Sequence, residues 1–163
     1  VIAADSATDP EDWREVHPIL SEPFVAVAPP GGRIEDLPLI QYTARHLMGR
    51  QIAAHLSRHG LRPAHRFELD SYAAILAMVA GGEGWTILTP LALHQARAFR
   101  SAVEVRPLPF PALERTLSLS ARRGILHDVP GQIAARLKPL IAEVVITPAL
   151  AAAPWLAPAL RVL

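Results

Sequence analysis

Apolar and polar positions along this chain fall into two periods, one helical and one alternating. Between residues 46 and 59, Gly49, Ile52, Ala53 and Leu56 recur on one face with Arg50, Ser57 and Arg58 opposite. This predicts a surface helix closed by Gly60. Residues 73–80, AAILAMVA, show no polar face and predict a helix covered by protein on most sides, a core or interface helix. Asp70 or Ser71 supplies its N-cap, and Gly81 and Gly82 end it. Trp85, Ile87 and Leu88 then rise as a buried strand that leaves its sheet at Thr89-Pro90.

Short apolar runs predict the other strands: 1–4, the end of a buried strand; PFVAVAPP (23–30), stopped by prolines; PLIQY (38–42); RFELD (66–70), with Phe67 and Leu69 on one face; and VEVRPLPF (103–110). In RTLSLSARR (115–123), Leu117, Leu119 and Ala121 alternate with Ser118 and Ser120, the pattern of a strand buried on one side. Residues 5–18 read as a polar loop carrying Trp13. A short helix is expected over 91–98. A longer one begins at Pro130, with Ile133, Leu137, Leu140 and Val144 on the buried side and a kink at Pro139. Residues 147–163, with Arg161 their one charge, are too short and proline-broken to span a bilayer and are expected to pack on this chain or a copy of it. Strands alternating with helices predict an α/β fold with a largely parallel sheet.

Composition narrows the function classes. With 163 residues, 51% hydrophobic and 19% charged, the chain can bury a core and is not disordered. Sixteen basic against fifteen acidic side chains leave a net charge of +1, which supplies no bulk field for a nucleic-acid backbone. The absence of cysteine excludes disulfides and thiolate metal sites and suits a reducing compartment, here the cytoplasm. No run reaches membrane-spanning length and no basic n-region precedes a hydrophobic segment, so no membrane partner is expected. The opening VIAAD reads as a chain cut from a longer protein inside a domain.

Candidate chemistry is sparse. Gly81, Gly82 and Gly84 follow a helix and open a strand, the reverse of the order that aims helix amides at a phosphate, so they read as a helix stop. His55 and His59 stand four apart on one helix face, the geometry of a two-histidine zinc site. Leu56 occupies the place of a metalloprotease's glutamate and spacing offers no third ligand, so no metal and no cofactor is expected. No serine sits in a G-x-S-x-G elbow. A hydrolase using His55 and His59 would require bound metal, and the preferred reading is not an enzyme.

A cleft is better supported. Asp5-Ser6, Gln41-Tyr42-Thr43 and Thr89-Pro90 carry polar groups where the chain leaves a sheet, and Ser71 opens a helix whose amides can hold an anion. Arg45 and His46 begin a helix, where the dipole does not favour a cation, so Arg45 is held for a partner or is simply solvated.

The ordered set EPFVAVAPP, EDLPLIQY, HGLRP and MVAGGEGWTILTP resembles the effector-binding domain of LysR-type transcriptional regulators, itself similar to type 2 periplasmic binding proteins. The likeness covers the chain to about residue 143. It implies an α/β fold of two lobes joined by two crossing strands: a complete second lobe with the crossovers over 23–110, a partial first lobe over 1–22 and 111–146, and a tail over 147–163. It also implies a small-molecule effector in the cleft, lined by Asp5, Ser6, Tyr42 through His46, Thr89 and Pro90. The family's DNA-binding helix-turn-helix and the opening strand and helix of the first lobe are absent from these residues. DNA contact would therefore come only through that missing N-terminal domain, and the whole protein would be a homodimer or tetramer. The convergence of Arg45, His46, Ser71 and helix amides points to a small anionic metabolite. The alternative is a solute-binding protein of a transporter with the same fold.

Overall fold

The structure, a computed structural model, describes residues 1–4 and 14–163. Two units divide the chain: 1–23 with 114–163, and 24–113.

In the first unit, β1 (Ile2–Ala4), β8 (Glu114–Arg122), β2 (Arg14–Pro23) and β9 (Arg161–Val162) form one sheet in that spatial order, every pair antiparallel. Residues 14–18, expected from the sequence as loop, form the first half of strand β2. Its register shifts between Pro18 and Leu20, which places Ile19 and Leu20 together in the core. The mixed run REVHPILSEP gives no clear local cue; pairing along the length of β8 imposes the extended form. Ser118 is buried alongside Leu119, so β8 is covered on both faces at that point rather than on one. Val1 and Ile2 are exposed, against the expectation of a buried strand end.

Helix α4 (Val129–Ile141) turns a different face inward from the one expected. Pro130 and Ala134 are buried, followed by Val145 and Ile146, whereas Ile133, Leu140 and Val144 are exposed. The buried positions are those with small side chains at the start of the helix, where it packs on β2. The helix continues through Pro139 and widens into a π turn over Ala142–Ile146, where the Thr147 hydroxyl donates to the Ala142 carbonyl at 2.9 Å. After α5 (Thr147–Ala152) the tail buries Ala153, Leu156 and Leu160 and returns as β9, so it packs on its own unit.

In the second unit, β3 (Val25–Ala28) lies between β6 (Thr86–Leu88) and β7 (Glu104–Arg106), antiparallel to both, and all four of its residues are buried. Strands β4 (Leu39–Tyr42) and β5 (His65–Leu69) pair in parallel. Trp85, one residue ahead of β6, forms a parallel bridge to Leu39. The expected largely parallel sheet is thus confined to β5, β4 and the start of β6, because each strand that leaves or enters the unit runs against its neighbours. Gly84 makes the bridge possible, since a Cβ there would collide with the Pro38 carbonyl.

Helix α1 (Leu47–Arg58) buries Met48, Gly49, Ile52, His55 and Leu56. His55 is 4% exposed and its Nε2 lies 2.7 Å from the Pro111 carbonyl, so a backbone oxygen satisfies that nitrogen. Helix α2 (Tyr72–Ala80) buries Ile75, Leu76 and Val79 but exposes Ala73, Ala74 and Ala77, so its apolar surface is only half covered. Helix α3 (Pro90–Gln95) follows β6 directly.

A small clasp holds the turn after β3. Arg106 donates to the Gly32 carbonyl at 2.7 Å and to Glu104 at 2.6 Å, and Glu104 accepts from the Gly31 amide at 3.2 Å. These hydrogen bonds, the one from Arg106 first, hold the Glu104 carboxyl below the usual carboxylate range. Its contribution to stability is therefore full above the ordinary carboxylate pKa, roughly 4.3, and is lost as the pH falls through the lower folded value. Glu104→Gln is expected to remove a small, acid-sensitive part of stability. Thermal midpoints measured from neutral to acidic pH should converge for the two proteins at the acid end; curves that coincide at every pH would show that the clasp contributes nothing.

Candidate functional site

Three parallel segments deliver polar residues to one end of the second unit. The Thr86 hydroxyl donates to the Ile40 carbonyl at 2.7 Å, which aligns β6 with β4; three residues on, the two strands end at Thr89 and Thr43. Strand β5 is parallel to both, and its ladder with β4 closes with the Thr43 amide donating to the Leu69 carbonyl at 2.8 Å, just ahead of Asp70 and Ser71. Thr43, Ser71 and Thr89 thus stand at the carboxyl ends of neighbouring strands, where open α/β sheets place ligands.

The turn after β4 is the most densely bonded part of this edge. Thr43 is 1% exposed; its hydroxyl donates to Glu68 at 2.6 Å and accepts from the Arg45 amide at 3.3 Å. The same Glu68 oxygen accepts from the Ala44 amide at 3.3 Å. Thr43 is therefore a fixed anchor for the turn. Gly49 lets α1 reach this turn, because any Cβ there would overlap the Thr43 carbonyl.

Arg45 stands on the outside of the turn, with its side chain 80% exposed and an Nη2 to Asp70 separation of 3.8 Å. That pair is wide and solvated, so it costs little to exchange Asp70 for another anion. His46 is the N-cap residue of α1 but gives no side-chain cap, leaving its first-turn amides without a side-chain acceptor from this position. Tyr42 is buried and stacks on Tyr72, the first residue of α2, with ring centroids 4.9 Å apart; the His46 ring lies 5.7 Å from Tyr42.

Ser71 caps α2 by accepting from the Ala74 amide at 3.3 Å, and Thr89 caps α3 by accepting from the Ala92 amide at 3.4 Å, with Pro90 buried at the first helical position. Thr89 is fully buried. Gln41 does not join this group: by strand alternation it faces α1, where it lines a separate cavity with Leu39 and Leu56. Asp5 and Ser6 lie outside the described residues. Among the described residues no three metal-ligating side chains come together, and no helix is long and apolar enough to cross a membrane.

Sequence reasoning passed over Glu68, Asp70 as an ion-pair partner, and Tyr72. A signal for Glu68 was present, since it alternates with Phe67 and Leu69 and so must face away from them. Nothing local indicated that it would take the Thr43 hydroxyl.

Residues 4–129 match the family described as LysR substrate binding domain. The chain belongs to that family. Solved structures of LysR-type regulatory domains share the type 2 periplasmic-binding-protein-like α/β fold with it at low identity. The effector binding domain of QuiR in complex with shikimate is 14% identical, with a TM-score of 0.63 over 85% of this chain and 72% of that one. The regulatory domain of CcmR from Synechocystis PCC6803 in complex with 2-PG is 20% identical, with a TM-score of 0.67 over 84% and 72%. The regulatory domain of MetR from N. meningitidis is 15% identical, with a TM-score of 0.68 over 99% and 77%. No curated protein sequence matches. The family assignment places this LysR domain among transcription regulators.

Proposed function

We propose that this LysR domain senses a small anionic metabolite at the polar end of its second unit and passes the binding energy to a DNA-binding partner domain. The observation that carries the reading is the shared end of β4, β5 and β6, where Arg45, Ser71 and the α1 amides stand beside the Tyr42-Tyr72 stack. Arg45 supplies the charge, the amides after His46 supply donors, and Thr43 fixes the turn that presents them. The complexes of QuiR with shikimate and CcmR with 2-PG support a small molecule as the effector class. Thr89 and Pro90 complete the proposed lining within this unit.

The effector acts by binding two states of the protein unequally, and the DNA-binding part reads the shift. No reaction is assigned to the domain, and no cofactor or metal is needed for it. The exposed alanines of α2 are the surface proposed for self-association into the dimer or tetramer.

A thermal-shift screen of small carboxylates tests the site. A ligand selective for the native state adds about 2.7 kcal/mol at a concentration a hundred times its Kd, enough to raise the midpoint visibly. For a confirmed hit, Arg45→Ala is expected to remove most of the increase. An undiminished increase in Arg45→Ala would reject the anion site.

A further inference from the structure

We infer that the second unit holds another small-molecule site, for a compact amphipathic carboxylate, between α1 and β4 at the end of α1. It does not rest on the effector reading. A cavity of about 400 Å³ lies there, within the size range of small-ligand pockets. Leu39 of β4, Ala53 and Leu56 of α1, and Leu61 form apolar walls, and Ser57, Gln41 and Arg62 supply the polar groups.

The way α1 ends accounts for the cavity. Gly60 has φ +65°, its amide donates to the Ser57 carbonyl at 3.0 Å, and the Leu61 amide donates to the Leu56 carbonyl at 2.8 Å. This closure brings Leu61 back towards Leu56 and satisfies the last carbonyls of the helix. Gly60 has open space where a Cβ would stand, so nothing from it narrows the opening.

Arg62 decides the ligand class. It lines the cavity, is exposed and makes no ion pair among the described residues, so its charge is open to a ligand. A guanidinium above an apolar chamber matches a ligand with a carboxylate at one end and an aromatic or branched body at the other. The Ser57 hydroxyl and the Gln41 amide provide further hydrogen bonds to the same group.

Nitrogen-correlated NMR spectra of the isotope-labelled full chain, titrated with phenylacetate and with its neutral isostere phenylacetamide, test the site. Saturable shifts are expected at Ala53, Leu56 and Leu61, with phenylacetate the tighter ligand. Arg62→Gln should weaken phenylacetate about tenfold, the loss of one charge-assisted contact, and leave phenylacetamide unchanged. Ala53→Leu, which fills the chamber from a half-buried position, should abolish the shifts of both. Equal affinity for the two probes, or indifference to Arg62→Gln, would overturn the carboxylate assignment. Absence of saturable shifts at these three residues at millimolar probe would overturn the site. Arg45→Ala serves as the control that separates it from the effector reading, and should leave these shifts intact.

Discussion

Glu22→Ala is expected to destabilise the first unit by about 3–5 kcal/mol, the cost of leaving a buried charge without its partner. Glu22 is fully buried and stands directly opposite Arg115 across the β2–β8 ladder. The guanidinium donates to one carboxylate oxygen through Nε at 2.8 Å and approaches it through Nη2 at 2.6 Å. Removing the carboxylate takes away the anion directly opposite a guanidinium whose side chain is only 9% exposed. Arg115→Leu should cost a similar amount for the converse reason. The double replacement Glu22→Met with Arg115→Leu should recover most of the loss, because an apolar pair of similar volume carries no desolvation cost. Urea denaturation of the three variants checks this. Single variants within about 1 kcal/mol of the native protein would show that water reaches the pair.

Gly49→Ala is expected to destabilise the second unit by about 1–3 kcal/mol or more, as overpacking against an unyielding neighbour does. The added Cβ would overlap the Thr43 carbonyl group and lie 2.7 Å from the Tyr42 carbonyl oxygen, so backbone must move. Either α1 withdraws or the turn at Thr43 shifts. The second response would displace Arg45 and His46, which follow in the same turn, and weaken any effector held there. Thermal denaturation measures the first effect, and effector affinity measures the second. A Gly49→Ala protein of unchanged midpoint would show that the helix does not approach the strand end as closely as described.

Local signals located most elements of the second unit. The stripe of α1, the Ser71 cap and glycine stop of α2, and the Thr89-Pro90 opening of α3 each carry their boundary chemistry in adjacent residues. The first unit was less legible. The first half of strand β2 contains Glu15, His17 and Pro18, which predict a loop, and is extended because β8 pairs with it. The inward face of α4 was misread because apolar residues occupy more of its circumference than one face can bury.

The candidate site followed the same division. Strand ends, caps and Arg45 could be found by position, whereas the Thr43-Glu68 hydrogen bond joins residues 25 positions apart. The opposite placement of Gln41 also needed the strand's neighbours, since alternation separates it from Tyr42 without saying which face holds the site.

By itself the amino-acid sequence determined the α/β class, the family likeness, the limits of α1 and α2 and the polar turns at the strand ends, because each rests on residues near one another in the chain. Only the tertiary structure decided strand direction, the long β2, the inward face of α4 and the partners of Thr43 and Glu22. Those depend on which distant segments pair, and a pairing free energy belongs to two segments at once.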